Sequence, residues 1–247
     1  SPYTIMIGTT LGKEYHLFTI FGIEVCCDIG LPILMAFMAL TSLQRMHSVT
    51  LAVIDALAVV VIILVHEFGH ALMAKSFKLS PGIHLSLFNG FCRHSGETTS
   101  FRRFLILAAG GLSGIAFGLA MLGVLSAVST RSLIYGALKN WTWQSIYVNV
   151  GNLVLPIYSL DGGQIFDIFV RKCVSGQYLC TWIVHGTGFI LSLIMLMLSV
   201  VYMRGSYFLA AIAFMLLYEN GQTLANAMQE KRRQRVLITS GSYRDHV

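Results

Sequence analysis

The chain has 247 residues, 55% of them hydrophobic and only 11% charged, with a mean hydropathy of +0.71 and a formal net charge of +6 at pH 7. So little charge on so apolar a chain excludes a soluble globular domain and a disordered one alike. The fold class predicted is an all-α polytopic membrane protein of about six transmembrane helices, with a short membrane-associated β-hairpin or extended segments between them.

In chain order, the first ten residues, SPYTIMIGTT, have neither a basic start nor a small-residue cleavage site, so no cleavable signal peptide is expected. The stretch HLFTIFGIEVCCDIG, residues 16 to 30, alternates in part and is interrupted at Gly22, which predicts extended chain and not a span. Apolar runs then predict spans at 29 to 44, 51 to 74, 104 to 128, 141 to 160, 181 to 203 and 206 to 226. Between the second and third, KLSPGIHLSLFNGFCRHSGETTSFRR mixes alternating apolar residues with Pro81, Gly82 and Gly90, as a β-hairpin or interfacial loop does. In the third span, Gly110, Gly111, Gly114 and Gly118 recur at spacings of three and four, which lets helices approach closely in lipid. Residues 1 to 230 read as a single intramembrane domain and 231 to 247 as a basic tail, with no repeat and no room for a separate soluble domain. The five cysteines form no CxxC pair, and their reading is reduced or buried thiols.

Lys and Arg collect in cytoplasmic loops. With six spans, thirteen of the seventeen fall on one side, from Lys13 and the loops at 75 to 103 and 171 to 172 to the QEKRRQR tail and Arg244. Arg45, Arg131, Lys139 and Arg204 fall on the other. Both termini are therefore expected in the cytoplasm. The positive charge is topological, so no nucleic-acid partner is expected, while the bilayer is, with the tail near anionic lipid heads.

Chemistry enters with VIILVHEFGHALMAKSF, residues 61 to 77. Residues four apart share a helix face, so His66 and His70 are spaced to offer imidazole nitrogens to one Zn²⁺, with Glu67 beside them as a base for the attacking water. Unpaired His and Glu in a span would be costly, which favours function over chance. A catalytic zinc needs a third protein ligand. HEFGHALMAKS lacks the HExxHxxGxxH continuation, and Glu97, the next glutamate, lies in the basic loop. Asp161 is the better candidate: it follows the fourth predicted span, at a depth matching HEFGH, and precedes Gly162 and Gly163.

HEFGH together with NLVLPIYSLDGG, residues 152 to 163, resembles the two main motifs of the site-2 protease family of intramembrane zinc metalloproteases. FGIEVCCDIGLPIL is similar to that family's opening segment, LFNGF to its membrane hairpin and AAGGLSG to its small-residue third helix, with Gly111 and Tyr158 standing where prolines are often found. The resemblance implies zinc held by His66, His70 and Asp161, Glu67 as general base, and hydrolysis of a peptide bond within or near the transmembrane helix of a single-span membrane protein. It also implies that Asn152 hydrogen-bonds an unwound substrate or the oxyanion, the alternative being a helix-packing amide, and that the hairpin around Ile83 to Phe91 clamps the substrate by strand addition. With no further domain, regulation falls to a partner membrane protein, prior trimming of the substrate, or the N-terminal and hairpin segments.

Elsewhere, Asp55 reads as lining a polar cavity or as sitting near the outer interface, and Glu24 and Asp28 as interfacial, with a gate or structural pairing as alternatives. Asp167 reads as structural and His185 as packing. Two other functions compete: a catalytically silent zinc-binding scaffold, which would be expected to have lost Glu67, and a divalent-metal carrier, which would spread polar ligands along the whole membrane path.

Overall fold

The computed structural model describes residues 12 to 87, 90 to 130, 133 to 201 and 207 to 239. The readings of SPYTIMIGTT, of Phe88 and Asn89, of Arg131 and Arg204, and of the tail from 240 onward lie outside these residues. Along the chain run β1 (Tyr15–Ile20), β2 (Ile23–Cys27), α1 (Gly30–Met46), α2 (Val49–Ser76), β3 (Ser80–Leu85), β4 (Gly90–Ser95), α3 (Ser100–Ala127), α4 (Leu133–Val154), α5 (Asp161–Cys173), α6 (Gln177–Val201) and α7 (Tyr207–Thr239). They fall into two compact units, Ser1–Val154 and Leu155–Val247.

In the first unit, both stretches expected to be extended are hairpins. Phe21 and Gly22 turn β1 into β2 with φ of 53° and 65°, a left-handed turn that Gly22 adopts without strain. The hairpins join edge to edge, because β2 pairs in parallel with β3, and the sheet order is β1-β2-β3-β4. One face of this sheet is apolar: Ile23, Val25, Cys27, Ile83 and Leu85 are buried with Ala71 of α2, and Phe68, Leu64 and Ile63 pack around them. That layer fixes the sheet on α2 close to HEFGH. Truncating a core side chain such as Ile83 to Ala in such a layer typically costs about 2–5 kcal/mol.

Ser48 caps α2 by accepting from the Leu51 N–H, and Thr99 caps α3 by accepting from the Arg102 N–H. The small residues of α3 face two helices: Gly110 lies against His70 of α2, where Ser113 Oγ also donates to the Val65 carbonyl at 2.9 Å, while Gly111, Gly114 and Gly118 lie against α4.

Among the described residues, three helices, α2, α3 and α6, are long and apolar enough to cross a membrane, and α1 is apolar but shorter. That falls short of the six spans expected. The stretch read as the fourth carries Thr142, Ser145, Asn149 and Asn152 on α4, and the sixth continues into the charged end of α7.

One boundary is corrected. The fourth predicted segment, 141 to 160, does not run to Asp161. Helix α4 stops at Val154, since Pro156 has no N–H to donate and disfavours a helical conformation at Leu155. Asp161 instead opens a separate helix, α5, in the second unit. This unit's core gathers Val170, Cys180 and Val184, with Tyr158, Phe166, Val174 and Ile183 around them.

Candidate metal centre

Helix α2 brings His66, Glu67 and His70 into one group whose candidate ligand atoms lie within 4.8 Å of one another. Glu67 and His70 are buried, and His66 is half-buried. The two imidazoles face each other through Nε2, 3.0 Å apart.

Their outer nitrogens decide what that means. His70 Nδ1 lies 2.7 Å from the Ile106 carbonyl, which can only accept, so Nδ1 carries the hydrogen. His66 Nδ1 lies 2.6 Å from Asn149 Oδ1. Asn149 donates its Nδ2 to the Ser145 carbonyl at 2.7 Å, which fixes the amide with its oxygen toward the ring. With the hydrogen on Nδ1, each imidazole in its neutral form turns an acceptor Nε2 toward the other, and two acceptors facing at 3.0 Å suit a shared cation. Ring nitrogens anchored on their far side are what metal-binding histidines generally show. Asn149 was not singled out in the sequence. A signal was present, because it stands three residues before Asn152 and so shares its helix face.

Asn152 reaches the same place, with Nδ2 3.2 Å from His66 Nε2. Two glycines give the group its room. A Cβ on Gly110 of α3 would overlap the His70 ring, and one on Gly90 of β4 would sit 2.5 Å from Glu67 Cγ. The hairpin strand thus runs its backbone directly past the Glu67 carboxylate.

Two hairpin side chains feel the group. Burial, then the Glu67 carboxylate, push the Cys92 thiol well above its ordinary range. Burial, the Arg103 guanidinium and the His70 imidazole hold His94 below its usual range, so it adds no positive charge at neutral pH.

Asp161 lies in the second unit, 6% exposed, as the first residue of α5. A carboxylate there is favoured by the positive end of the helix dipole. The other polar residues resolve into structural roles. Asp55, 2% exposed, accepts from Trp141 Nε1 at 2.7 Å and Asn140 Nδ2 at 3.2 Å, tying α2 to α4. Asp28 makes a structural pairing: at 1% exposure it accepts from the Gly30 N–H, Ser86 Oγ and His84 Nε2, joining the start of α1 to the end of β3, whereas Glu24 is exposed. Asp167 accepts from Arg171 Nε at 2.8 Å, as a structural residue should.

No family model matches this sequence, and no curated protein matches it. Among solved structures it is similar to the site-2 protease from Methanocaldococcus jannaschii, with a TM-score of 0.64 over 86% of this chain and 95% of that one, at 22% sequence identity. At that identity the likeness is one of fold.

Proposed function

We propose that this chain, which has the fold of a site-2 protease, is an intramembrane zinc metalloprotease that hydrolyses a peptide bond within or near the transmembrane helix of a single-span membrane protein. The observation that carries the reading is the pair of Nε2 atoms 3.0 Å apart, each backed by an acceptor on Nδ1, with the Glu67 carboxylate in the same group. His66 and His70 are two zinc ligands, and we assign the third to Asp161. When bound, zinc supplies a Lewis acid that polarises the scissile carbonyl and acidifies water.

The chain's own groups do the rest. Glu67 takes a proton from the attacking water as its oxygen adds to the carbonyl carbon, then passes that proton to the amine as the C–N bond breaks. Asn152 donates toward the oxygen on which negative charge develops. A helix shields its own carbonyls, so the substrate must unwind locally. Strand β4, an edge of the sheet that passes Glu67, offers unpaired backbone groups to hold the extended segment.

Two experiments test this reading. The detergent-purified protein should carry about one zinc, and membrane-peptide fragments should appear by mass spectrometry when it meets a single-span substrate. Replacing His66, His70 or Asp161 with Ala should strip the metal. Full zinc content in Asp161→Ala would remove that residue from the ligand set, and a protein that binds substrates without cutting them would be a scaffold. Orientation is tested separately, because the basic asymmetry puts both termini and the active-site end in the cytoplasm. Reporter fusions should report residues 171 to 176 on the cytoplasmic side, and an external reading would reverse the topology.

A further inference from the structure

Residues 155 to 160 are the non-helical stretch that delivers Asp161 to the start of α5. The stretch is tightly built. The Ile157 N–H donates to the Leu155 carbonyl, the Leu160 N–H to the Ile157 carbonyl and the Gln164 N–H to the Leu160 carbonyl. A Cβ on Gly163 would collide with the Ile157 carbonyl, so α5 starts directly against this turn.

Two adjacent side chains of the turn are held, Ser159 directly by Glu219 of α7 and Tyr158 by His185 of α6, which is hydrogen-bonded to Asn220 of α7. Ser159 Oγ donates to Glu219 Oε2 at 2.5 Å. The Tyr158 ring lies 4.5 Å from the His185 imidazole of α6, centroid to centroid, and His185 Nδ1 lies 3.0 Å from Asn220 Oδ1. Asn220 donates its Nδ2 to the Leu216 carbonyl at 2.8 Å, which turns its oxygen toward His185 and makes Nδ1 the donor. His185 and Asn220 are 9% and 1% exposed, and Gly188 makes space for the Asn220 amide, which a Cβ would meet at 2.6 Å. A histidine and an asparagine buried between α6 and α7 are costly if packing is all they provide.

We propose that Glu219, Asn220 and His185 are positioning residues for Asp161: through Ser159 and Tyr158 they fix the turn that sets the direction of its carboxylate. The inference rests on reading Asp161 as a zinc ligand. A carboxylate ligand needs its geometry held to about 0.5 Å, and groups that hold ligands in this indirect way are generally worth about 10–100-fold in metal affinity.

The test uses the full chain in detergent, with zinc affinity measured by competition against a chromophoric chelator and ligand geometry read from the absorption of the Co²⁺-substituted protein. Glu219→Leu and Asn220→Ala should each weaken zinc binding by about 10-fold or more and alter the cobalt spectrum. Glu219→Gln keeps an oxygen for the Ser159 hydroxyl and should restore both. If Glu219→Leu does not fold, Ser159→Ala removes the same hydrogen bond with a smaller change and should weaken zinc likewise. Variants that melt earlier but bind zinc as tightly as wild type, with an unchanged cobalt spectrum, would overturn the proposal and leave the network a packing device. Asp161→Asn separates the two levels. If it loses zinc while the network variants do not, this inference alone fails; if it keeps zinc, the ligand assignment fails and the inference with it.

Discussion

Glu67→Gln should lower cleavage of a single-span substrate by about 100-fold or more, the usual scale for loss of a general base, while zinc content and folding match wild type. The side chain is 3% exposed and sits against the backbone of Gly90, so an amide of the same size fits the same space. What it loses is the charge that accepts the water proton. The imidazoles keep their anchors, because His66 leans on Asn149 and His70 on the Ile106 carbonyl, and neither depends on Glu67. Mass-spectrometric counting of fragments over time gives the ratio. A Glu67→Gln protein that cuts at the wild-type rate would remove the carboxylate from the chemistry.

Gly110→Ala should be nearly as damaging without replacing any residue assigned to the metal. The added methyl would overlap Cε1 and Nε2 of His70, the side of the ring that faces His66. The ring has little freedom to retreat, since its Nδ1 is held 2.7 Å from the Ile106 carbonyl on the same helix, α3. Zinc affinity should fall by about 10–100-fold, read by chelator competition. Gly123 of α3 provides the control, because a Cβ there meets nothing within 4 Å. Gly123→Ala should leave zinc unchanged and, by removing glycine's excess flexibility from a helix, stabilise the protein by about 0.5–1 kcal/mol. Equal zinc affinity in both variants would mean that the α3 glycine face does not shape the site.

The local half of this site was legible in the sequence because it is periodic. His66, Glu67 and His70 are set by one helical turn, and the apolar runs around α1, α2, α3 and α6 lie within a few residues of the helices themselves. Helix α5 escaped notice because a scan for apolar runs sees only helices that are apolar all round. DGGQIFDIFVRKC is amphipathic, burying Ile168 and Val170 while its end carries Arg171 and Lys172, so it read as loop. The end of α4 was misplaced although Pro156 was in plain view, since the hydropathy of LVLPIYSL runs on through the break. Asn149 was missed for a different reason: its role lies in a contact 83 positions away, and its place on the helix face of Asn152 was the one local signal for it. The pairing of Asp28 was illegible for the same reason, because Ser86 and His84 lie far along the chain.

The parallel pairing of β2 with β3 imposes an order of events on synthesis. Each hairpin closes locally, but Val25 cannot meet Ile83 until α1 and all of α2, which lie between them in the chain, have been made. The β1–β2 hairpin therefore emerges with Val25 and Ile23 uncovered, and the helix carrying HEFGH must be in place before its partner strand arrives. Joining the two hairpins is a late step of assembly in this unit, and the same second hairpin brings Gly90 against Glu67. A nascent chain halted within α2 would already hold both histidines and the glutamate, yet lack the strand that passes over them, so the peptide-holding edge is completed only after the residues assigned to cutting are in the membrane.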